Sequence, residues 1–203
     1  MRKGIIFILS FFILFSFEAC KKSQKDKTKS VEGIYKVVDS TATVKWTAYK
    51  TTDKLPVSGV FNIVNITKSV GGKTPQSALN NLEFSIPVSS IFSKNEERDG
   101  KLKKLFFGVM ASTSLLTGTI QVDGDNMGSL EVVMNGVTKS LPLTFTSDGN
   151  TINFKGVMSL PDWNIGDAFE SLIKACFDQH KGKDGISKTW DDVLIEASVN
   201  VSK

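Results

Sequence analysis

His180 is the only histidine among the 203 residues, so any imidazole base or ligand must centre on it. A Ser-His-Asp arrangement would also need a presented nucleophile, and no Gly-x-Ser-x-Gly elbow occurs. One histidine and Cys176, even joined by a carboxylate, fall short of a zinc ligand set. His180 stands beside Lys181-Gly182 at the end of a helical pattern, where a bond to the terminal carbonyls is its ordinary use. These residues point to no catalytic group, no metal site and no cofactor.

The two cysteines have different surroundings. Cys20 closes Phe17-Glu18-Ala19-Cys20, behind the positive start Met1-Arg2-Lys3 and an apolar run from Ile5 to Phe17 broken only by Ser10 and Ser16. That run is too short for the roughly 20 residues of a membrane span and reads as a signal peptide. Its end resembles the lipobox of bacterial lipoproteins, which implies residues 1–19 removed, Cys20 acylated, and membrane attachment through that lipid. Lys21 to Ser30 holds no apolar residue, and residues 20–32 read as a lipidated cysteine and flexible tether. The expectation is an exported protein anchored on the periplasmic side, with Lys21 after the cysteine pointing to the outer membrane. Acylation would leave Cys176 without a disulfide partner, and its place on an apolar stripe reads as a buried structural thiol.

Arg98-Asp99 admits two uses. Arg98 is the candidate for a polar headgroup contact, and a local ion pair that fixes a capping helix is the alternative. Loss of Arg2, Lys3 and Glu18 would leave 23 basic and 20 acidic residues, and no basic stripe interleaved with aromatics appears, which argues against nucleic acid.

The elements that must position these residues are strands. Apolar residues alternate through Ala42, Val44, Trp46 and Ala48, and again through Val57 to Ile63, Leu82 to Val88, Ile120 to Val122, Leu130 to Met134, Leu141 to Phe145, Ile152 to Phe154 and Val193 to Val201. Asn135-Gly136 and Ser147-Asp148-Gly149-Asn150 supply reversals. About eight such runs predict an all-β antiparallel barrel or sandwich over residues 33–203. Two segments change period. Asn95 to Phe107 predicts a short capping helix, and Asp167 to His180 an amphipathic one, with Asp167 as N-cap, Phe169, Leu172, Ile173, Cys176 and Phe177 on its apolar stripe and Gly182 closing it.

Trp46, Phe61, Phe84, Ile86, Phe145 and Phe154 fall on alternating inward positions, and Phe106, Phe107 and Trp163 near the barrel ends. Each is either plain core or the wall of a cavity, because an eight-stranded barrel is wide enough to fill itself or to hold one small ligand.

The motif order resembles the YceI-like family of bacterial exported proteins. It runs through Val44-Lys45-Trp46, Pro56-Val57-Ser58-Gly59-Val60-Phe61, Ser90-Ile91-Phe92-Ser93, Arg98-Asp99-Gly100-Lys101-Leu102, Leu116-Thr117-Gly118 and Met134-Asn135-Gly136-Val137-Thr138-Lys139-Ser140-Leu141-Pro142-Leu143. The resemblance implies an eight-stranded lipocalin-like barrel. Its cavity would bind, sequester or carry a polyisoprenoid, an isoprenoid quinone or a fatty-acyl compound without catalysis. An apolar slot would suffice for affinity, since each buried methylene contributes about 0.8 kcal/mol. Two rival readings are an envelope interaction scaffold using the second helix, and a lipid-modifying enzyme centred on His180.

Overall fold

The first strand begins earlier than Ala42. In the computed structural model, which describes residues 34–124 and 126–203, the first strand, β1, runs over Lys36–Lys50, with a register irregularity between Val38 and Thr43. The expected signal peptide, Cys20 and tether lie outside the described residues. Nine further strands follow: β2 (Leu55–Phe61), β3 (Asn65–Lys68), β4 (Leu82–Pro87), β5 (Ile91–Phe92), β6 (Leu115–Val122), β7 (Met127–Met134), β8 (Val137–Asp148), β9 (Thr151–Ser159) and β10 (Asp192–Ser202). All pair antiparallel in the order β3-β4-β6-β7-β8-β9-β10-β1-β2-β5.

Ten segments rather than eight is a correction whose cause is local. β4 and β5 are one strand bent by the single 3-10 turn Val88–Ser90. Its first half pairs with β6 and its second half with β2, so the chain itself closes the ring. Counting the bent strand once, eight positions surround the barrel, and β3 is an extra strand on the free edge of β4. β3 is only four residues long, too short to show a period in the sequence. A bridge from Tyr35 to Gly72, with N–H to O distances of 2.7 and 2.9 Å, joins the start of β1 to the segment after β3.

The turn at Asn135-Gly136 has positive φ at both residues, 53° and 70°, the two-residue hairpin geometry that only Asn and Gly adopt readily. Asn135 also works as a tie. Its Oδ1 accepts from Ala111 N–H at 2.8 Å, and its Nδ2 donates to the carbonyls of Trp163 and Asn164.

Three expectations on strands and helices change. β2 ends at Phe61, leaving Ile63 48 % exposed, while Val64 and Ile66 turn inward. The first helix, α1, spans Glu96–Lys101 with Asn95 as N-cap, then widens into a π turn over Leu102–Phe106 and a 3-10 turn over Phe107–Val109. The second, α2, spans Gly166–Ala175. Ile165 occupies its N-cap position without a side-chain bond, and Asp167 sits in its first turn. The stretch to His180 is a separate 3-10 turn, Gly182 packs beside Thr52 rather than closing the helix, and Phe177 leaves the apolar stripe at 52 % exposure.

The core lines the inside of this ring and the helices over one end. Residues Glu32–Lys203 form one compact unit. The buried core residues among the described ones lie within it and form a single cluster, what a segment needs to fold as a unit.

Candidate ligand-binding cavity

β-strand side chains alternate between faces, so the even-numbered residues of β1 from Ala42 to Ala48 all look into the ring. Paired strands continue that face with Phe61, Phe84, Ile86, Phe154 and Ala197. They enclose a cavity of about 180 Å³ whose wall is almost wholly apolar. Seven of the expected residues line it: Trp46, Phe61, Phe84, Ile86, Phe106, Phe107 and Phe154.

Phe145 and Trp163 do not. Phe145 is 2 % exposed and packs in a tilted pair with Phe154, ring centroids 6.0 Å apart, as solid core. Trp163 is 1 % exposed, and its indole N–H donates to the Val132 carbonyl at 3.1 Å, which locks it outside the cavity wall. Trp190, which no strand or helix pattern of the sequence singles out, takes a place in the wall. Its indole N–H donates to the Thr51 carbonyl at 2.9 Å, so the ring is held at the end of the cavity.

Glycine makes room for the large rings. Gly59 lies opposite Trp46, and Gly118 opposite Phe84, across their ladders. A Cβ on Gly118 would come within 2.7 Å of Phe84 Cζ, and one on Gly59 within 2.7 Å of Trp46 Cε2. Each aromatic therefore lies over bare backbone, a pairing that also shields the glycine. The Trp46 indole nitrogen is buried without an acceptor among the described residues, a condition that costs roughly 1–3 kcal/mol.

The helices close one end. In a π turn, residues five apart fall on the same face, and Phe107 N–H donates back to the Leu102 carbonyl. The widened turn thus brings Leu102, Phe106 and Phe107 together into the cavity, with the two phenylalanine rings edge to face at 5.0 Å. Phe169 and Leu172 of α2 complete the lid, and the opposite end is filled by Leu79, which is fully buried.

The polar candidates separate into two groups. Arg98 is half-buried, does not line the cavity and makes no ion pair with Asp99. Buried Asp99 instead accepts from the Ser93 hydroxyl at 2.6 Å and from Ser93 N–H at 3.0 Å, tying α1 to the end of β5. The expected Arg98-Asp99 ion pair gives way to this cap because the carboxylate finds fixed donors in Ser93. His180, far from a helix carbonyl role, shares a 2.6 Å hydrogen bond between its Nδ1 and Thr189 Oγ1. Burial, then the Lys50 and Lys101 charges, hold its imidazole below the ordinary histidine pKa. Cys176 is buried as expected, and burial pushes its thiol up.

A family model for the YceI-like domain matches residues 35–201. The chain belongs to the YceI-like family. A polyisoprenoid-binding domain from Saccharophagus degradans, implicated in plant cell wall breakdown, shares the fold at a TM-score of 0.59 and 14 % identity, over 83 % of this chain and 98 % of that one. Burkholderia cenocepacia BcnA is similar at a TM-score of 0.49 and 17 % identity, over 80 % of this chain and 96 % of that one. A Campylobacter jejuni YCEI protein gives 0.49 and 17 %, over 72 % and 85 %. No curated protein sequence matches the chain. The YceI-like barrel here thus carries an apolar cavity covered at one end by the π turn after α1 and by α2.

Proposed function

We propose that this YceI-like domain binds the apolar tail of a long-chain amphiphile, a polyisoprenoid, isoprenoid quinone or fatty-acyl compound, and holds it without chemical change. The observation that carries the reading is the cavity, whose wall of Phe, Leu, Ile, Val and Met offers almost nothing but dispersion and burial. The S. degradans relative described as polyisoprenoid-binding supports the same class of ligand. A cavity of about 180 Å³ takes part of a long tail. Met134 and Met158 in its wall, each unbranched and flexible, supply further room.

The reading is one of binding without catalysis: the imidazole of His180 is hydrogen-bonded to Thr189, and among the described residues no carboxylate is bonded to that imidazole to orient it as a base. The protein works outside the cytoplasm, tethered through acylated Cys20 with the barrel on the periplasmic side of the outer membrane. The export pattern before Cys20 and the polar run after it support that placement.

Titration of residues 32–203 with unbranched alcohols of increasing length tests the tail reading. Affinity should rise by up to about fourfold per methylene until the cavity is full, then level off. Affinity independent of chain length would refute it.

A further inference from the structure

The inward stripe of β1 does not stop at Ala48. Trp46 and Ala48 line the cavity, and strand alternation puts Lys50 next on that face, just beyond the lining residues. A lysine at the end of an apolar stripe is a conspicuous choice, because its ammonium must be solvated or paired. Lys50 is half-buried and has no carboxylate partner among the described residues; its Nζ donates only to the Gln179 carbonyl, at 3.3 Å.

Directly opposite Lys50 stands Thr189, its partner in an isolated antiparallel bridge. Bridge partners project their side chains to the same face, and Thr189 lines the cavity. Its hydroxyl is bonded to His180 Nδ1 at 2.6 Å. When Nδ1 carries the proton, the imidazole donates to Thr189 Oγ1, and the hydroxyl hydrogen is free to point elsewhere. The other nearby charges are Lys101, bonded to Glu97 at 2.7 Å and to Gln179 Oε1 at 2.9 Å, Arg98 beyond them, and Lys54 and Lys188, whose ammonium groups lie 4.6 and 5.1 Å from the centre of the Trp190 ring, Lys54 being paired with Asp192. Trp190, fixed by its bond to the Thr51 carbonyl, forms the adjoining apolar wall.

From this placement we infer that Lys50 and Thr189 seat an anionic oxygen, a phosphate or carboxylate, at the head of a ligand whose tail occupies the cavity. Thr189 donates a hydrogen bond to that oxygen, His180 holds the hydroxyl in the donating orientation, and Lys50 supplies the opposite charge. Lys101 contributes less, because Glu97 already neutralises it. The inference rests on the tail-binding reading and adds the class of headgroup to it.

Farnesyl monophosphate, farnesol and inorganic phosphate, each titrated into residues 32–203 by calorimetry, separate the parts. The phosphorylated tail should bind about tenfold more tightly than the alcohol, in keeping with a charge-assisted hydrogen bond. Lys50→Gln and Thr189→Val should each shrink that ratio towards one. Equal affinity for the two tails, or a ratio that survives both substitutions, would overturn the headgroup seat while leaving tail binding in place. Inorganic phosphate binding as tightly as farnesyl monophosphate would also overturn it, in favour of a free-phosphate site. Binding of neither tail would remove the tail reading and this inference with it.

Discussion

Trp46 and Gly59 face each other across the β1–β2 ladder, and a side chain at Gly59 would meet both the indole ring and the Phe92 carbonyl, the latter at 2.8 Å. The glycine is what lets the largest inward ring of β1 lie flat against the barrel wall. Gly59→Ala should therefore cost about 1–3 kcal/mol, the usual range for overpacking. Urea unfolding of residues 32–203 reads the loss, and a shift in tryptophan emission reports displacement of Trp46. An unchanged midpoint would show that the wall has slack there.

Asn135 serves two ends at once, as a positive-φ turn residue and as a bonded tie to Ala111, Trp163 and Asn164. Asn135→Gly keeps the positive-φ backbone and deletes the tie, at an added cost of about 0.5–1 kcal/mol in unfolded-chain entropy. Loss of these bonds should lower stability by about 1–3 kcal/mol in thermal or urea unfolding. A neutral result would reduce Asn135 to a turn former.

Asp99 and Arg98 should behave oppositely despite being adjacent. Asp99→Ala leaves Ser93 N–H and its hydroxyl without their acceptor and should cost about 2–3 kcal/mol, with α1 loosened in hydrogen exchange. Arg98→Gln should stay within about 0.5 kcal/mol of the parent protein. Equal effects would restore the ion pair expected between them.

The single histidine makes a clean titration. Burial first, and then Lys50 and Lys101, lower the His180 pKa from 6.5, so the folded state binds a proton less readily than the unfolded chain. Its contribution to stability is full above the unfolded pKa and is lost as pH falls through the folded one. NMR of His180 should show a midpoint below 6.5, moved upward by Lys50→Gln. A midpoint at or above 6.5 would contradict the burial of the ring, and one unmoved by Lys50→Gln the placement of that ammonium group beside it.

How far the sequence could be read follows from particular residues. Ala42 to Ala48 showed its inward face by alternation alone, and the same period located most strands. The cavity was not legible in that way. Phe145 and Phe154 are register partners on one face, yet Phe154 lines the cavity and Phe145 is solid core. Alternation says which side of a sheet a residue occupies, and the barrel's curvature and ends decide whether space remains beside it. Trp163 leaves the cavity wall and Trp190 joins it for the same reason, since hydrogen bonds to Val132 and Thr51 fix where each ring lies. Lys50 was within reach of the sequence, being the next even position after Ala48, but a charged residue breaks the apolar pattern by which the stripe was followed.

Protein purified under native conditions from its own cells shows whether the cavity holds an apolar tail. Organic solvent removes a non-covalent ligand and leaves any lipid bonded to Cys20 on the chain. Mass spectrometry of the extract should show a long-tailed amphiphile at about one per protein. An extract free of such a compound would contradict the account.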